Sequence, residues 1–437
     1  MDMETKKKIK MVTFTPQANF GTCLQAYALY TVLSKKGYDV EFIFNGHETL
    51  AYGIKGTIKD MLKSYLPSSL VEFIRYKKRQ KIISQNKQSR NTGTLANNNQ
   101  EKHPNIIPLA DSKWRYWLSK LPLYNQLYKF IKYRNKQMRK VYSFAFDDKN
   151  FKMKRIYTAK QYEEIVEDAD LFITGSDQIW NPYCCGYNPM FFLEFVKGRK
   201  KCISYSSSIA RPSFPNEIAD RVKQNLSQFT HIAVRERSSV ELLKKLLLRD
   251  DINLVVDPTY LLNKDEWMNF GNRATIEFEL PPRYILCYFI GFRKDDYRIM
   301  VEDVKNKTGI KDVVTIDCVN GNINYGNGIL YKDGGPYEFI YLLSHASMAC
   351  MDSFHATIFS LIFRIDFVHI LKDTGDNTSS SQNIRMYDIL KRYNLVNKLY
   401  DSNNTDWTKP INWEQVEMIM NQEISKSISY LNNALSY

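Results

Sequence analysis

The sequence has too few cysteines, in the wrong arrangement, for a disulfide frame or a zinc cage. There are seven in 437 residues, an odd number, with no C-x-x-C spacing and several set inside apolar runs. That usage fits buried thiols in a reducing compartment. Long hydrophobic runs are also missing, and nothing reaches the roughly 18 uninterrupted apolar residues of a membrane-spanning helix. The opening residues MDMETKKKIKMVTF pass from a basic tail straight into a strand-like run, without the apolar stretch of a signal peptide. A cytoplasmic protein is expected. The dinucleotide fingerprint G-x-G-x-x-G, internal repeats and metal-ligand clusters are absent as well.

What is present describes a globular α/β chain. A length of 437 residues exceeds one ordinary core and points to two domains plus an extension, with 44% hydrophobic and 25% charged residues. The net charge of +14 is unevenly spread. Residues 55–140 hold 20 Lys and Arg against four acids, a balance of +16, whereas the remainder stands at −2. The basic excess belongs to one segment, and the body of the protein is electrically ordinary.

Ile9 to Phe14 reads as a buried strand, Thr22 to Lys36 as a helix ended by Gly37, and Tyr38 to Phe44 as the next strand. This is the opening of a Rossmann-like sheet. Gly21, at the loop-to-helix junction, either makes the turn or lets a ligand approach the backbone, with Asn19 and Gln25 offering polar contacts beside it. Residues 53–145 read as a helical insertion with basic polar faces and a polar loop near 88–108. Its second part interleaves Trp114, Trp117, Leu118, Leu121 and Tyr124 with Lys and Arg. Such helices suit an anionic membrane surface, or else a cap on the first domain with a solvated basic face. Recognition motifs for nucleic acid are missing, so no nucleic-acid partner is expected.

Past Phe151 four strands in succession end in ligand-grade side chains. They are DLFIT before Gly175-Ser176-Asp177-Gln178, KCISYSSS, HIAV before Arg235-Glu236-Arg237, and Leu254 to Val256 before Asp257-Pro258-Thr259. One such ending is ordinary, but four in order imply a shared cleft beyond the carboxyl ends of a sheet. Ser176, Asp177 and Gln178 are candidates to line it, whereas Asp257 is read as holding the domain junction. A second α/β run begins after Trp267, with Gly321 to Gly335 read as a loop. Within it, Ala346 to Ile370 reads as a strand, a turn at Asp352-Ser353, a helix from Phe354 and a further strand. The turn is a helix N-terminus and so an anion seat, and His355 places a titratable side chain in it. Alone, His355 is equally a capping or gap-filling residue. The tail from Asn412 to Leu435 is one amphipathic helix.

Taken together, NFGTCLQAYALYTVL, FITGSDQIWNP, YSSSIA, IAVRERSS, DPTYLL, MDSFHATIFSLIF and the helix bearing Arg385 resemble, in order, the polysaccharide pyruvyl transferase family. GSDQIWNP and DSFHATIFS carry most of the specificity, and the insertion is covered least. The resemblance implies an α/β fold of two Rossmann-like domains facing across a cleft, a glycosyltransferase-B-like plan. The first would span residues 1–242, with the insertion 53–145 and the returning helix 409–437, and the second residues 243–408. The implied activity is transfer of pyruvate from phosphoenolpyruvate onto a glycan or lipid-linked sugar as a cyclic ketal. Arg235 and His355 would be the catalytic pair, with Phe354, Ser353, Asp352 and Arg385 beside them. Neither a metal nor a nucleotide cofactor is needed for that chemistry. A nucleotide-sugar glycosyltransferase on the same plan is the alternative.

Overall fold

Short, fully apolar runs flanked by amphipathic helices leave one stable outcome, a parallel sheet covered on both faces. The structure, a computed structural model, describes residues 6–14, 19–45, 104–121, 136–291, 293–317, 323–372 and 383–436. The helical patterns expected in 53–103 and 122–135 and the polar segment 374–382 lie outside the described residues.

The first sheet comprises β1 (Lys8–Val12), β2 (Asp39–Asn45), β3 (Met153–Ile156), β4 (Leu171–Thr174) and β5 (Lys201–Ser204). All are parallel, in the order β3-β2-β1-β4-β5. Single bridges, Ile203 with His231 and Ser207 with Val234, carry it on to β6 (Ile232–Val234), which pairs in parallel with β7 (Ile252–Leu254). The first half therefore runs past the boundary expected at 242/243. β7 follows helix α4 (Arg237–Leu247) but pairs backward onto β6, and such pairing leaves no mark on local periodicity.

The second sheet repeats the plan with β8 (Tyr284–Tyr288), β9 (Asp312–Ile316), β10 (Ile329–Tyr331), β11 (Met348–Met351) and β12 (Phe367–His369), in the order β10-β9-β8-β11-β12. β10 falls inside the segment read as a loop. It is a three-residue edge strand, and Gly328 before it leaves no room for a side chain, since a Cβ there would meet the Val313 carbonyl oxygen at 2.0 Å. Each sheet changes winding direction once, between β1 and β4 and between β8 and β11. Such switch points are where open α/β sheets bind ligands.

The halves share one apolar core. Phe20, at the start of helix α1 (Phe20–Lys35), packs on Tyr288 and Phe339 of the second half at centroid distances of 5.8 and 5.7 Å. Burying that one ring contributes roughly 2–3 kcal/mol. Helix α3 (Lys136–Ala145), after the short α2 (Lys113–Ser119), closes the insertion and straddles both halves. Its Val141 and Phe144 enter the shared core. Lys140 donates to Glu338 at 2.7 Å and Lys136 pairs with Glu277 at 2.7 Å. Lys140 is thus bound to a buried second-half acid, and the exposed Lys136 pairs with one at the surface. Helix α7 (Trp413–Leu435) returns to the first half, where Tyr430 donates to the Ser204 carbonyl at 2.8 Å and the Val256 N–H donates to Ser427 at 2.9 Å.

Candidate active site

The two switch points face each other, so the turns after β4 and β11 meet with the N-terminal ends of α1 and α5 (Phe354–Phe363). Ser353 caps α5 by accepting from the Ala356 N–H, and Asn19 caps α1 by accepting from the Gly21 N–H at 3.1 Å. Both helices thereby point positively polarised ends at one region. There Gly21 lies directly against His355. A Cβ at position 21 would come within 2.3 Å of the imidazole Nδ1 and 2.4 Å of Cγ.

Arg235 follows β6 and Asp257 follows β7. The Asp257 carboxylate joins the site together. Its Oδ2 accepts from Arg235 Nη1 at 2.8 Å and from Ser176 at 3.3 Å, and lies 3.5 Å from His355 Nε2. Its Oδ1 accepts from the Thr259 N–H at 3.1 Å and hydroxyl at 2.8 Å, which fixes the plane of the group. Arg235 and His355, each 3% exposed and from opposite halves, therefore meet at one oxygen atom. Among the described residues neither Arg235 Nη2 nor His355 Nε2, both buried, makes a hydrogen bond, though Asp177 and Asp257 lie 3.7 and 3.5 Å from them. The room between the halves at this point, bounded by Arg235, Asp257, Phe354 and Arg385, is about 10 Å³. That is space for roughly one water.

Charge around the pair is nearly balanced. Arg235 also donates from Nε to Glu236 at 3.2 Å and lies 3.7 Å from Asp177. Burial alone would push Asp257 up, but His355 and Arg235 beside it hold it well below the usual carboxylate range. Asp177 is likewise pushed up by burial and held below its ordinary value by His355, Arg235 and Arg385. Arg385, on helix α6 (Ile384–Arg392), is shifted down by burial and by the nearby Arg235. The Phe354 ring lies 4.2 Å from the Arg235 guanidinium carbon and 5.4 Å from that of Arg385, and stands at 90° to the His355 ring. Cation–π attraction keeps both guanidinium groups at this position. With its oxygen turned inward, the Gln178 amide accepts from both Arg385 Nη atoms at 3.2 Å.

The predicted residues thus divide. His355, Arg235, Phe354, Arg385, Asp177, Gln178 and Gly21 gather at the junction. Gln25, expected to contact substrate, is fully buried and holds the β4 turn instead, donating to Thr13 at 3.1 Å and accepting from the Ser176 N–H at 3.2 Å. Asp352 is likewise corrected. Its carboxylate accepts from the Ile290 and Gly291 N–H groups at 2.7 and 2.6 Å and from the Tyr297 hydroxyl at 2.7 Å, so it latches the β8 turn. Ser176, Ser353 and Asn19 spend their side-chain oxygens on Ser206, on the α5 cap and on the α1 cap. Asp257, read from the sequence as holding the domain junction, lies between Arg235 of the first half and His355 of the second. Thr22, which donates to Asp177 at 2.9 Å, was missed. Among the described residues, no three His, Cys, Asp or Glu side chains gather as a metal ion requires.

The model of the family described as polysaccharide pyruvyl transferase matches residues 19–373, which include Arg235, Asp257 and His355. The chain belongs to the polysaccharide pyruvyl transferase family. No curated protein matches it in sequence. Among solved structures, a UDP-N-acetylglucosamine 2-epimerase from Listeria monocytogenes is similar at 9% identity and a TM-score of 0.45, covering 99% of this chain and 91% of the other. One from Neisseria meningitidis bound to UDP-GlcNAc aligns at 9% identity and 0.42, covering 99% and 94%. A glycosyltransferase from Rickettsia africae aligns at 10% and 0.42, covering 99% of each chain. The paired parallel sheets described above make this an α/β protein of two Rossmann-like halves.

Proposed function

We propose that the protein transfers the pyruvyl group of phosphoenolpyruvate to two hydroxyls of one sugar, forming a cyclic ketal and releasing phosphate. One observation carries the reading: Arg235 from the first half and His355 from the second converge on a single buried carboxylate oxygen. A dianionic three-carbon ester needs such a host, a guanidinium fork and helix N-termini for its charge and an imidazole for its proton.

In the first step a sugar hydroxyl adds to the phosphate-bearing enol carbon while the methylene carbon takes a proton from the His355 imidazolium. The carbon–carbon double bond becomes a methyl group, and His355 then accepts the proton of the attacking hydroxyl. In the second step the other hydroxyl attacks the same carbon, the carbon–oxygen bond to phosphate breaks, and phosphate leaves with the remaining proton. Arg235 stabilises the departing charge. General acid–base assistance of this kind contributes roughly 10²–10⁴-fold. Asp257 orients the imidazole and holds the guanidinium, acting through both without touching substrate.

The reading is tested by incubating the purified chain with phosphoenolpyruvate and a panel of glycan acceptors, and identifying the product by carbon NMR. A quaternary ketal carbon bonded to a methyl and a carboxylate is expected. Nucleoside diphosphate released from activated sugars, with no phosphate released from phosphoenolpyruvate, would replace it with glycosyl transfer.

A further inference from the structure

Of the eleven large apolar side chains exposed among the described residues, five fall within the sixteen residues Ile106–Leu121, including both exposed tryptophans. Ile106, Trp114, Tyr116, Trp117 and Leu121 are 55%, 54%, 36%, 63% and 36% exposed, whereas Trp180, Trp267 and Trp407 are buried. A solvated cap would turn these side chains inward, and an exposed aromatic cluster of this kind marks an interaction surface.

Backbone hydrogen bonds fix where the cluster sits. The Ile107 N–H donates to the Tyr187 carbonyl at 2.9 Å, and the Tyr187 N–H to that of Asn105 at 2.8 Å. Asn45, the last residue of β2, donates to the Pro108 carbonyl at 3.0 Å, and the Ser112 N–H to the carbonyl of Tyr157, just beyond β3, at 2.8 Å. The span is thereby held at the carboxyl ends of β2 and β3. Because the sheet is parallel, that is the edge from which Ser176 and Asp177 emerge after β4. β3 stands three places from β4, about 14 Å along the sheet. The aromatic surface and the candidate active site therefore share one edge of the first half.

Composition selects the occupant. Lys113 and Lys120 flank the tryptophans, with Lys120 Nζ 5.0 Å from the Tyr116 ring centre, and Asp111 accepts from the Ala159 N–H at 3.4 Å. Within Ile106–Leu121, Lys113, Arg115 and Lys120 stand against the single acid Asp111. Two copies of this net positive surface repel each other, which disfavours self-association. Ile106 and Leu121 have no use against a phosphodiester backbone. Tryptophan and tyrosine with aliphatic neighbours and lysines match the headgroup level of an anionic bilayer.

We infer that Ile106–Leu121 is a membrane-docking foot that seats the active-site edge of the first half on an anionic lipid surface. Resting on the transferase reading, the foot presents the cleft to an acceptor carried on lipid. Vesicle binding itself does not depend on that reading. The experiment is co-sedimentation of the full chain with vesicles of equal parts phosphatidylglycerol and phosphatidylcholine, against phosphatidylcholine alone, with tryptophan emission followed in parallel. Binding to the anionic vesicles with a blue shift is expected, weakened at least tenfold in Trp114→Ala/Trp117→Ala. The same variant should release phosphate with a soluble acceptor at the wild-type rate. Absence of binding at low salt, binding unaffected by the double substitution, or tryptophan-dependent dimerisation or RNA binding without vesicle binding would each overturn the foot and leave the transferase reading standing.

Discussion

Replacing Gly21 by alanine tests the packing on which the site depends. The added Cβ would lie 2.3, 2.4 and 2.5 Å from Nδ1, Cγ and Cβ of His355, where ordinary contact begins near 3.4 Å. Relief requires a shift of about 1 Å by the imidazole or by the first turn of α1. The ring has little room to yield, with Asp257 at 3.5 Å and Phe354 packed edge-on against it. Overpacking of this kind costs about 1–3 kcal/mol, offset by up to about 1 kcal/mol because alanine is the better helix former. The variant should therefore fold, with a net loss of about 0–3 kcal/mol in urea denaturation. Catalysis should suffer far more, since misplacing a reacting group by about 1 Å costs on the order of 10²-fold. The assay is acceptor-dependent phosphate release from phosphoenolpyruvate. A Gly21→Ala protein within twofold of wild type in kcat/KM would refute the reasoning, because the imidazole could not then be held where the structure places it.

Other expectations follow from the same geometry. Asp257→Asn removes the negative charge shared by Arg235 and His355. It should lower stability by about 3 kcal/mol and phosphate release by at least 10²-fold, read by denaturant titration and by the phosphate assay. Because the folded pKa values of Asp257 and Asp177 are depressed, their stabilisation is complete above the unfolded carboxylate value of about 3.9 and is lost as pH falls below it. Wild-type unfolding free energy should accordingly drop more steeply in acid than that of Asp257→Asn. Asp352→Ala leaves the Ile290 and Gly291 N–H groups without their acceptor and should cost about 3 kcal/mol of stability, measured by urea denaturation. Arg385→Gln should raise KM for the donor by at least tenfold in the phosphate assay while Gly21→Ala acts mainly on kcat.

The fold was legible where local pattern and tertiary role coincide. Buried parallel strands such as Leu171–Thr174 and Met348–Met351 are continuous apolar runs, and the Ser353 cap is written directly before the helix it starts. Pairings between distant segments were not legible. Nothing in Ile252–Leu254 announces that it joins the first sheet, and the three residues of β10 are too few for a period. The site was legible as a set of strand endings, but not the division of labour within it. Asp352 and Asp257 are both acids at the ends of strands. Only the coordinates show one bound to the backbone of its own half and the other reaching a guanidinium and an imidazole from different halves. The pairing of Lys136 and Lys140 with Glu277 and Glu338 was not legible, because those acids lie far along the chain.

The account stands on a joint action of Arg235 and His355 upon one anionic donor. Phosphate release from phosphoenolpyruvate, measured for wild type, Arg235→Gln, His355→Asn and the double variant, tests it most directly. Each single substitution should reduce kcat/KM by at least 10²-fold, and the double variant should be little worse than either, since the two groups serve one transition state. A wild-type rate in either single variant, or losses that simply multiply, would contradict it.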